Sequence, residues 1–203
     1  VIETPCVYNV AALVGVAGGV SDEAMADLVH NLLVAQASYC ISNVSSPLLP
    51  SALRSLEVEA VYEDQHERVI VGYDAFSSAL FVSFRGTSNF ENWLENIDGF
   101  KAAPYDDYPE AEGMEGMFDW YSDLKPGVLA GLAAARAKHF PGADAAPVVA
   151  TGHSAGGACA TLFSVDVWRG NVTGFDLIEA TMVAATAGAA AVALGVAVLL
   201  GRA

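Results

Sequence analysis

A five-residue turn at 152–156 constrains the fold of this chain more than any other feature. It reads GHSAG, which fits the pattern G-x-S-x-G. The apolar residues 148–150 before it indicate a buried strand, and the small residues 157–160 after it suit a closely packed helix. In such a turn the central serine adopts a strained backbone with an exposed hydroxyl. The sequence therefore predicts a reactive-serine turn centred on Ser154 with its Oγ exposed, and an ordinary glycine-rich turn is the alternative. The supporting positions of the turn are Gly152, His153 and Gly156.

A serine nucleophile also needs a base for its proton and donors for the negative charge that develops on the substrate oxygen. Ala155 offers a backbone N–H at the start of a helix, where the helix dipole favours negative charge. Thr87 follows an apolar strand and can offer both its N–H and its hydroxyl. His153 is not expected to act as the base, because adjacent residues on such a turn point in different directions.

Hydrophobic periodicity predicts three helices and three strands. The helices are expected at 21–38, 118–139 and 156–168, and the strands at 68–73, 79–84 and 147–151. The first two strands are close enough in sequence to form a hairpin. Pro126 is expected to kink or restart the second helix, because proline lacks the N–H that continues a helix.

The chain is strongly acidic, with 9 Lys and Arg against 24 Asp and Glu and a net charge of -15. Such a surface repels phosphate backbones, so nucleic acid is not an expected partner. The 3 cysteines form no C-x-x-C pair, and the acidic residues between 106 and 115 lack the spacing of a calcium loop. We therefore expect neither a metal nor a cofactor.

The two ends of the chain differ from its middle. The apolar run at 6–20 follows Glu3 and not a basic segment, so a signal peptide is not favoured. Residues 180–201 carry no charge and are long enough to span a hydrocarbon core of about 30 Å, although their many alanines make insertion marginal. A transmembrane helix and a truncated core segment both stay open here. The expected division is an apolar segment at 1–20, a core at 21–179 and a hydrophobic tail at 180–203, in a membrane-associated or secreted protein.

Four segments, in chain order, resemble the class 3 lipases, the fungal-lipase-like branch of the α/β hydrolases. They are 37–40 (ASYC), 84–87 (FRGT), 92–93 (NW) and 151–158 (TGHSAGGA). The resemblance covers about residues 25–169. It implies an α/β fold in which a mainly parallel sheet is flanked by helices, with an N-terminal hairpin and an incomplete C-terminal part.

The same resemblance implies roles for individual residues. Ser154 would be the nucleophile, Thr87 and Ala155 would form the oxyanion hole, and residues 88–97 would form a lid helix over the acyl pocket. The lid is amphipathic, because one face of the helix carries all its large apolar side chains, and an alternative is that this face packs on the core. The apolar lid residues are Phe90, Trp93, Leu94 and Ile97.

The chain departs from the family in its acid and base. The family supplies both after the nucleophile, yet no histidine follows His153 in this sequence. Asp166 and Asp176 follow Ser154, but neither is an expected triad member. The three other histidines precede the turn and are expected to be structural; they are His30, His66 and His139. These departures indicate a chain truncated on its C-terminal side.

The resemblance implies a carboxylic ester hydrolase that cleaves acylglycerols or related lipid esters through a serine acyl-enzyme. Its substrate would be met at a lipid–water interface, with membrane association through 180–201 as an open possibility. The alternative is a catalytically inactive lipase-like domain that binds lipid or a partner.

Overall fold

The computed structural model describes residues 22–41, 53–64, 67–86, 101–102, 105, 113–183 and 196–197. These residues form three helices and eight strands, numbered here in chain order. The helices are α1 (Asp22–Cys40), α2 (Glu115–His139) and α3 (Ala155–Trp168). The strands are β1 (Leu56–Asp64), β2 (Glu67–Asp74), β3 (Ala79–Phe84), β4 (Lys101–Ala102), β5 (Gly113–Met114), β6 (Ala146–His153), β7 (Phe175–Val183) and β8 (Val196–Ala197).

Six strands form one sheet in the order β1-β2-β3-β6-β7-β8. Neighbours are antiparallel from β1 to β3, parallel from β3 through β6 to β7, and antiparallel between β7 and β8. Parallel neighbours need crossover connections, which here contain α2 and α3. The expected α/β class with flanking helices is confirmed, and the described sheet is mixed with its parallel strands at the centre.

Alternating side chains of β2 and β3 pack on opposite faces of the sheet. One face packs against α1 in a cluster that contains Leu33, Val34, Ala37, Ile41, Ile70 and Phe81. The other face packs against α2 and α3 in a larger cluster that includes Val71, Val82, Leu124, Leu132 and Phe163. All residues of β3 are buried because helices cover both of its faces.

Most local predictions are confirmed by these bounds. The first helix spans Asp22–Cys40, and the hairpin forms between β2 and β3 with Val69 paired to Phe84. The hydrophobic pattern does not predict strand β1. Leu56 and Val58 alternate with acidic residues, but a β-bulge between Val58 and Ala60 breaks that alternation.

Helix α2 contains Pro126 without restarting there, so of the two expected effects, a kink or a restart, the restart is wrong. A proline at this position leaves the carbonyl of Ser122 without its helical donor. Both residues are exposed, so water can bind that carbonyl, while Leu124 and Val128 on the opposite side stay buried in the core.

The hydrophobic tail begins within the sheet. Strand β7 runs to Val183 beside β6, with Thr181 paired to Thr151, and β8 at Val196–Ala197 pairs back onto β7. The described residues of the tail, 180–183 and 196–197, are therefore in strands and not in a helix, because their backbone groups bond to neighbouring strands. The rest of the tail lies outside the described residues. No helix in the described part of the chain is both long and apolar enough to cross a membrane.

Candidate active site

Ser154 lies at the junction between β6, which ends at His153, and α3, which begins at Ala155. Its backbone has φ 58° and ψ -127°, and its side chain forms no capping hydrogen bond to the helix. Residues other than glycine rarely adopt this conformation, which costs roughly 1–3 kcal/mol. The surrounding structure therefore holds Ser154 in a strained turn, at the position that the strand, turn and helix pattern predicts.

Close backbone packing explains the glycines on either side of Ser154. A Cβ at Gly152 would overlap the carbonyl oxygen of Gly156 and lie 2.8 Å from the backbone nitrogen of Gly157. A Cβ at Gly156 would overlap the carbonyl oxygen of Phe84 at the end of β3. The turn can be this tight, and α3 this close to β3, only because both positions lack a side chain.

The hydroxyl oxygen of Ser154 is buried, which corrects the expectation of an exposed hydroxyl, and it has no hydrogen-bond partner among the described residues. Ala155, the first residue of α3, is 4% exposed. Amide groups in the first turn of a helix have no intrahelical acceptor, and the positive end of the helix dipole stabilises negative charge. An oxyanion formed on a substrate at Ser154 would thus lie at the amino end of α3.

A tyrosine hydroxyl links the turn to the end of β3. Tyr39, in the last turn of α1, has its hydroxyl 2.9 Å from Nδ1 of His153. The same oxygen accepts a hydrogen bond of 2.9 Å from the backbone N–H of Gly86. Burial raises the pKa of Tyr39 and lowers the pKa of His153, so both side chains are held neutral.

Two other histidines lie at the opposite end of the sheet. His30 places Nε2 2.7 Å from a carboxylate oxygen of Asp74, the last residue of β2. His139 stacks on the ring of Tyr73, with centroids 4.2 Å apart. Asp74 and Tyr73 pair with the first two residues of β3, whereas Ser154 follows the carboxyl end of the parallel strand β6. Because both imidazoles are engaged by residues of β2 that pair with the start of β3, neither is placed to act on Ser154.

Asp166 is buried far along α3 and has partners of its own. It accepts hydrogen bonds from Lys125 at 2.6 Å, Tyr121 at 2.8 Å and Asn171 at 3.1 Å. Burial acts to raise the pKa of Asp166, but these donors outweigh it and hold the pKa below its usual value. Asp166 lies about 18 Å from Ser154 along the helix axis and so has a structural role.

The amino ends of β6 and β7 form the far end of the sheet from Ser154. Asp176 lies there, because it pairs with Pro147 near the start of β6. A cleft of about 560 Å³ opens at the same end, lined by Arg136 of α2 and by Phe140, which directly follows that helix. The guanidinium group of Arg136 already donates hydrogen bonds to two backbone carbonyls of the following turn. Neither Asp176 nor this cleft contributes to the candidate site.

Cys159 lies on α3, five residues after Ser154. It is fully buried, and burial raises its pKa to about 12, so it is a core thiol and not a thiolate. In the ranges that the structure covers, no group of three or more His, Cys, Asp or Glu side chains could hold a metal ion.

Part of the predicted site lies outside the described residues. This part comprises Thr87, Phe90, Trp93, Leu94 and Ile97. His66, which is expected to be structural, also lies outside them. The structure brings together the rest of the turn, Gly86 and Tyr39. The sequence does not predict a role for Tyr39. The segment 37–40 is only one part of the resemblance to the family, and helical periodicity gives no sign that a hydroxyl contacts a turn far away in the sequence.

Comparison with known proteins identifies one family and several similar structures. The model of the class 3 lipase family matches residues 81–194, which is more than half of the chain. No curated protein matches the chain significantly.

Among solved structures, the native Rhizomucor miehei lipase propeptide complex is similar at 19% identity with a TM-score of 0.62, and 78% of this chain covers 52% of it. A triacylglycerol lipase whose catalytic centre is formed by a serine protease triad is similar at 20% identity with a TM-score of 0.64, over 78% of this chain and 61% of that one. A lipase from Rhizopus microsporus var. chinensis is similar at 16% identity with a TM-score of 0.64, over 78% of this chain and 57% of that one. The chain thus spans about half to three fifths of the length of these proteins, with which it shares the fold.

Proposed function

Because this chain belongs to the class 3 lipase family, we propose that it is a carboxylic ester hydrolase that cleaves acylglycerols or related lipid esters. The observation that carries the proposal is the backbone of Ser154, which holds a buried, unpartnered hydroxyl in a strained turn. A glycine would adopt this conformation without strain. The presence of a serine at this strained position therefore supports a chemical role for its side chain.

In this mechanism Oγ of Ser154 bonds to the ester carbonyl carbon, and the carbonyl oxygen becomes a tetrahedral oxyanion. Collapse of that intermediate breaks the bond to the alcohol and leaves an acyl group on Ser154, which water then hydrolyses to a free acid. The serine proton passes to a base and on to the leaving alkoxide. None of the described side chains is hydrogen-bonded to Oγ, so none of them is in place as the base. In this proposal the described residues supply the nucleophile and one oxyanion donor.

The oxyanion hole consists of the N–H of Ala155 and donors from Thr87. Ala155 begins α3, so its amide belongs to the free first turn of the helix. Thr87 directly follows Gly86, and a Cβ built on Gly86 would lie only 3.0 Å from Cβ of Ser154. The chain that leads into Thr87 thus passes directly beside the nucleophile, which supports the assignment.

The substrate would be met at a lipid–water interface. Residues 88–97 would act as the lid, with Phe90, Trp93, Leu94 and Ile97 turned towards lipid. This part of the proposal rests on the amphipathic pattern and on the family.

A second candidate function is that of an inactive lipase-like domain that binds lipid or a partner. It is favoured by the position of His30 and His139, which both lie at the far end of the sheet from Ser154.

Covalent labelling with a fluorophosphonate separates the two functions. The probe phosphonylates an activated serine and displaces fluoride, so mass spectrometry should find it on Ser154. Ser154→Ala should abolish labelling. Ser164→Ala is the matched control, because Ser164 lies on the same helix with its hydroxyl bonded to the Ala160 carbonyl, and labelling should persist.

Hydrolysis of p-nitrophenyl butyrate, a soluble ester, should follow the labelling. The absence of both labelling and hydrolysis in the unaltered protein, with sedimentation on phosphatidylcholine vesicles that contain triacylglycerol, would reject the enzyme and support the lipid-binding domain. Labelling that survives in Ser154→Ala would instead reject Ser154 as the nucleophile.

A further inference from the structure

The hydroxyl of Tyr39 contacts the residue before each of the two segments that form the candidate site. Gly86 precedes Thr87, and His153 precedes Ser154. These segments are more than 60 residues apart in the sequence, and they approach each other where β3 and β6 end side by side. We propose that Tyr39 is a positioning residue for ester hydrolysis, which holds the oxyanion-hole segment in register with the nucleophile turn; this inference rests on the proposed function.

The hydrogen bonds at Tyr39 have a defined direction. A phenol hydroxyl has one proton to donate and lone pairs that accept. The oxygen accepts the N–H of Gly86, and Nδ1 of His153 is its other hydrogen-bond partner among the described residues. We assign Tyr39 as the donor to Nδ1, because the buried phenol proton is then satisfied. Nδ1 can accept only when it is unprotonated, so neutral His153 carries its proton on Nε2. One hydroxyl thus fixes a backbone amide and a ring tautomer together.

Burial keeps both partners in the protonation states that this arrangement requires. The pKa of Tyr39 is raised, mainly by burial, and the pKa of His153 is lowered by burial. Tyr39 therefore keeps the proton that it donates, and His153 keeps Nδ1 free at neutral pH. The link is therefore expected to be present at neutral pH.

Helix α1 gives Tyr39 a fixed place from which to act. The buried hydroxyl of Ser83 on β3 donates to the Val34 carbonyl at 2.9 Å. The buried hydroxyl of Thr151 on β6 donates to the Asn31 carbonyl at 3.2 Å. These two bonds join α1 to the same strands that end at Gly86 and His153, so Tyr39 cannot shift without moving the strands.

The backbone of Gly86 is closely packed on the side where a side chain would lie. A Cβ at this position would lie 2.6 Å from the Tyr39 hydroxyl and 3.0 Å from Cβ of Ser154, and would overlap the His153 carbonyl oxygen. Its backbone is therefore packed directly between Tyr39 and Ser154. Without the hydroxyl, a part-buried amide of Gly86 would lose its acceptor, and the segment that enters the oxyanion hole would be free to shift.

The test replaces Tyr39 by phenylalanine in the full 203-residue chain and compares kcat and KM for p-nitrophenyl butyrate and the rate of fluorophosphonate labelling. Small displacements of catalytic groups and the loss of an oxyanion donor each cost about 100-fold or more in rate, so partial misplacement should lower kcat and labelling by about 10- to 100-fold. KM should change less than about twofold, because a small ester binds through few contacts. Nitrogen NMR of labelled histidine should show a shifted Nδ1 resonance for His153.

Tyr121→Phe is the matched control. Like Tyr39→Phe, it removes a buried tyrosine hydroxyl. The partner of the Tyr121 hydroxyl is the carboxylate of Asp166, which lies about 18 Å along α3 from Ser154. It should keep the kcat and labelling rate of the unaltered protein, even where both variants lose similar thermal stability.

The outcomes distinguish the positioning role from the proposed function. Equal rates in Tyr39→Phe and the unaltered protein would overturn the positioning role and leave the hydrolase intact. Equal losses in Tyr39→Phe and Tyr121→Phe would also overturn it, because they would reflect general destabilisation. If the unaltered protein neither labels nor hydrolyses the ester, the proposed function fails and the positioning role falls with it.

Discussion

The contact between α3 and β3 at Gly156 gives a sharp prediction for Gly156→Ala. The new Cβ would overlap the Phe84 carbonyl oxygen and lie 2.7 Å from its carbonyl carbon and 2.9 Å from the carbonyl carbon of Arg85. These are backbone atoms of the last residue of the buried strand β3 and of the residue after it, so no side-chain rotation can relieve the overlap. Since carbon atoms are most favourably about 3.5–4.0 Å apart, the first turn of α3 must move away from β3 by roughly 1 Å.

The cost follows from the packing that this movement disturbs. Overpacking a filled core typically costs about 1–3 kcal/mol, and here the displaced helix carries Cys159 and Phe163, which are both fully buried. Alanine regains up to about 1 kcal/mol of helix propensity over glycine. Because the overlap is with backbone on one side of a rigid junction, we expect a net loss of about 2 kcal/mol in the free energy of unfolding.

Gly116→Ala is the matched control. Gly116 lies in the first turn of α2, and a Cβ there would have no atom within 4 Å. This variant makes the same chemical change without the overlap, so its stability should rise by up to about 1 kcal/mol.

Urea unfolding followed by circular dichroism measures both changes through the midpoint and the slope. For a domain of this size the difference between the variants should be about 6–12 °C in Tm. If Gly156→Ala is within about 0.5 kcal/mol of the unaltered protein, the close-packing argument is refuted. If both variants lose equal stability, the cause is not the contact with β3.

Two further predictions concern charge. Burial lowers the pKa of His153 below its unfolded value of about 6.5, so the unfolded chain binds more protons than the folded protein near that pH. The free energy of unfolding should therefore fall as the pH drops from above 6.5 towards 5. His153→Asn keeps an acceptor near the position of Nδ1 but does not titrate, so it should weaken this pH dependence; a urea midpoint whose pH dependence between about 5 and 8 is the same in the variant would contradict the prediction. Lys125→Met leaves the Asp166 carboxylate without its partner at 2.6 Å, and because the lysine side chain is 30% exposed we expect a loss of about 1–3 kcal/mol at pH 7. The folded pKa of Asp166 is lowered, so this loss should shrink as the pH falls below about 3.9, and a loss that is independent of pH in urea titrations would argue against the ion pair.

The elements that the sequence predicts best are those whose pattern is local. Helix α1, the β2–β3 hairpin and the passage from β6 through Ser154 into α3 all follow from apolar periodicity and from glycine. The strained φ of Ser154 belongs to this group, because a serine between two obligatory glycines at a strand-to-helix junction has few other conformations.

The features that the sequence did not predict depend on neighbours. The alternation of β1 is interrupted by a bulge whose place is set by pairing with β2. Helix α2 continues through Pro126 because the proline faces solvent and the opposite side is held in the core. Residues 180–183 belong to a strand and not to a helix, because β6 offers an unpaired edge beside them.

The sequence by itself determined that a serine would be presented at the carboxyl end of a buried strand, before a helix that can stabilise negative charge. Only the tertiary structure decided that β3 would end beside β6, which brings Gly86 to Ser154, and that α1 would carry Tyr39 to both segments. The reason is physical: periodicity records which face of an element is buried, whereas the partner of that face is decided by the packing of residues far apart in the chain.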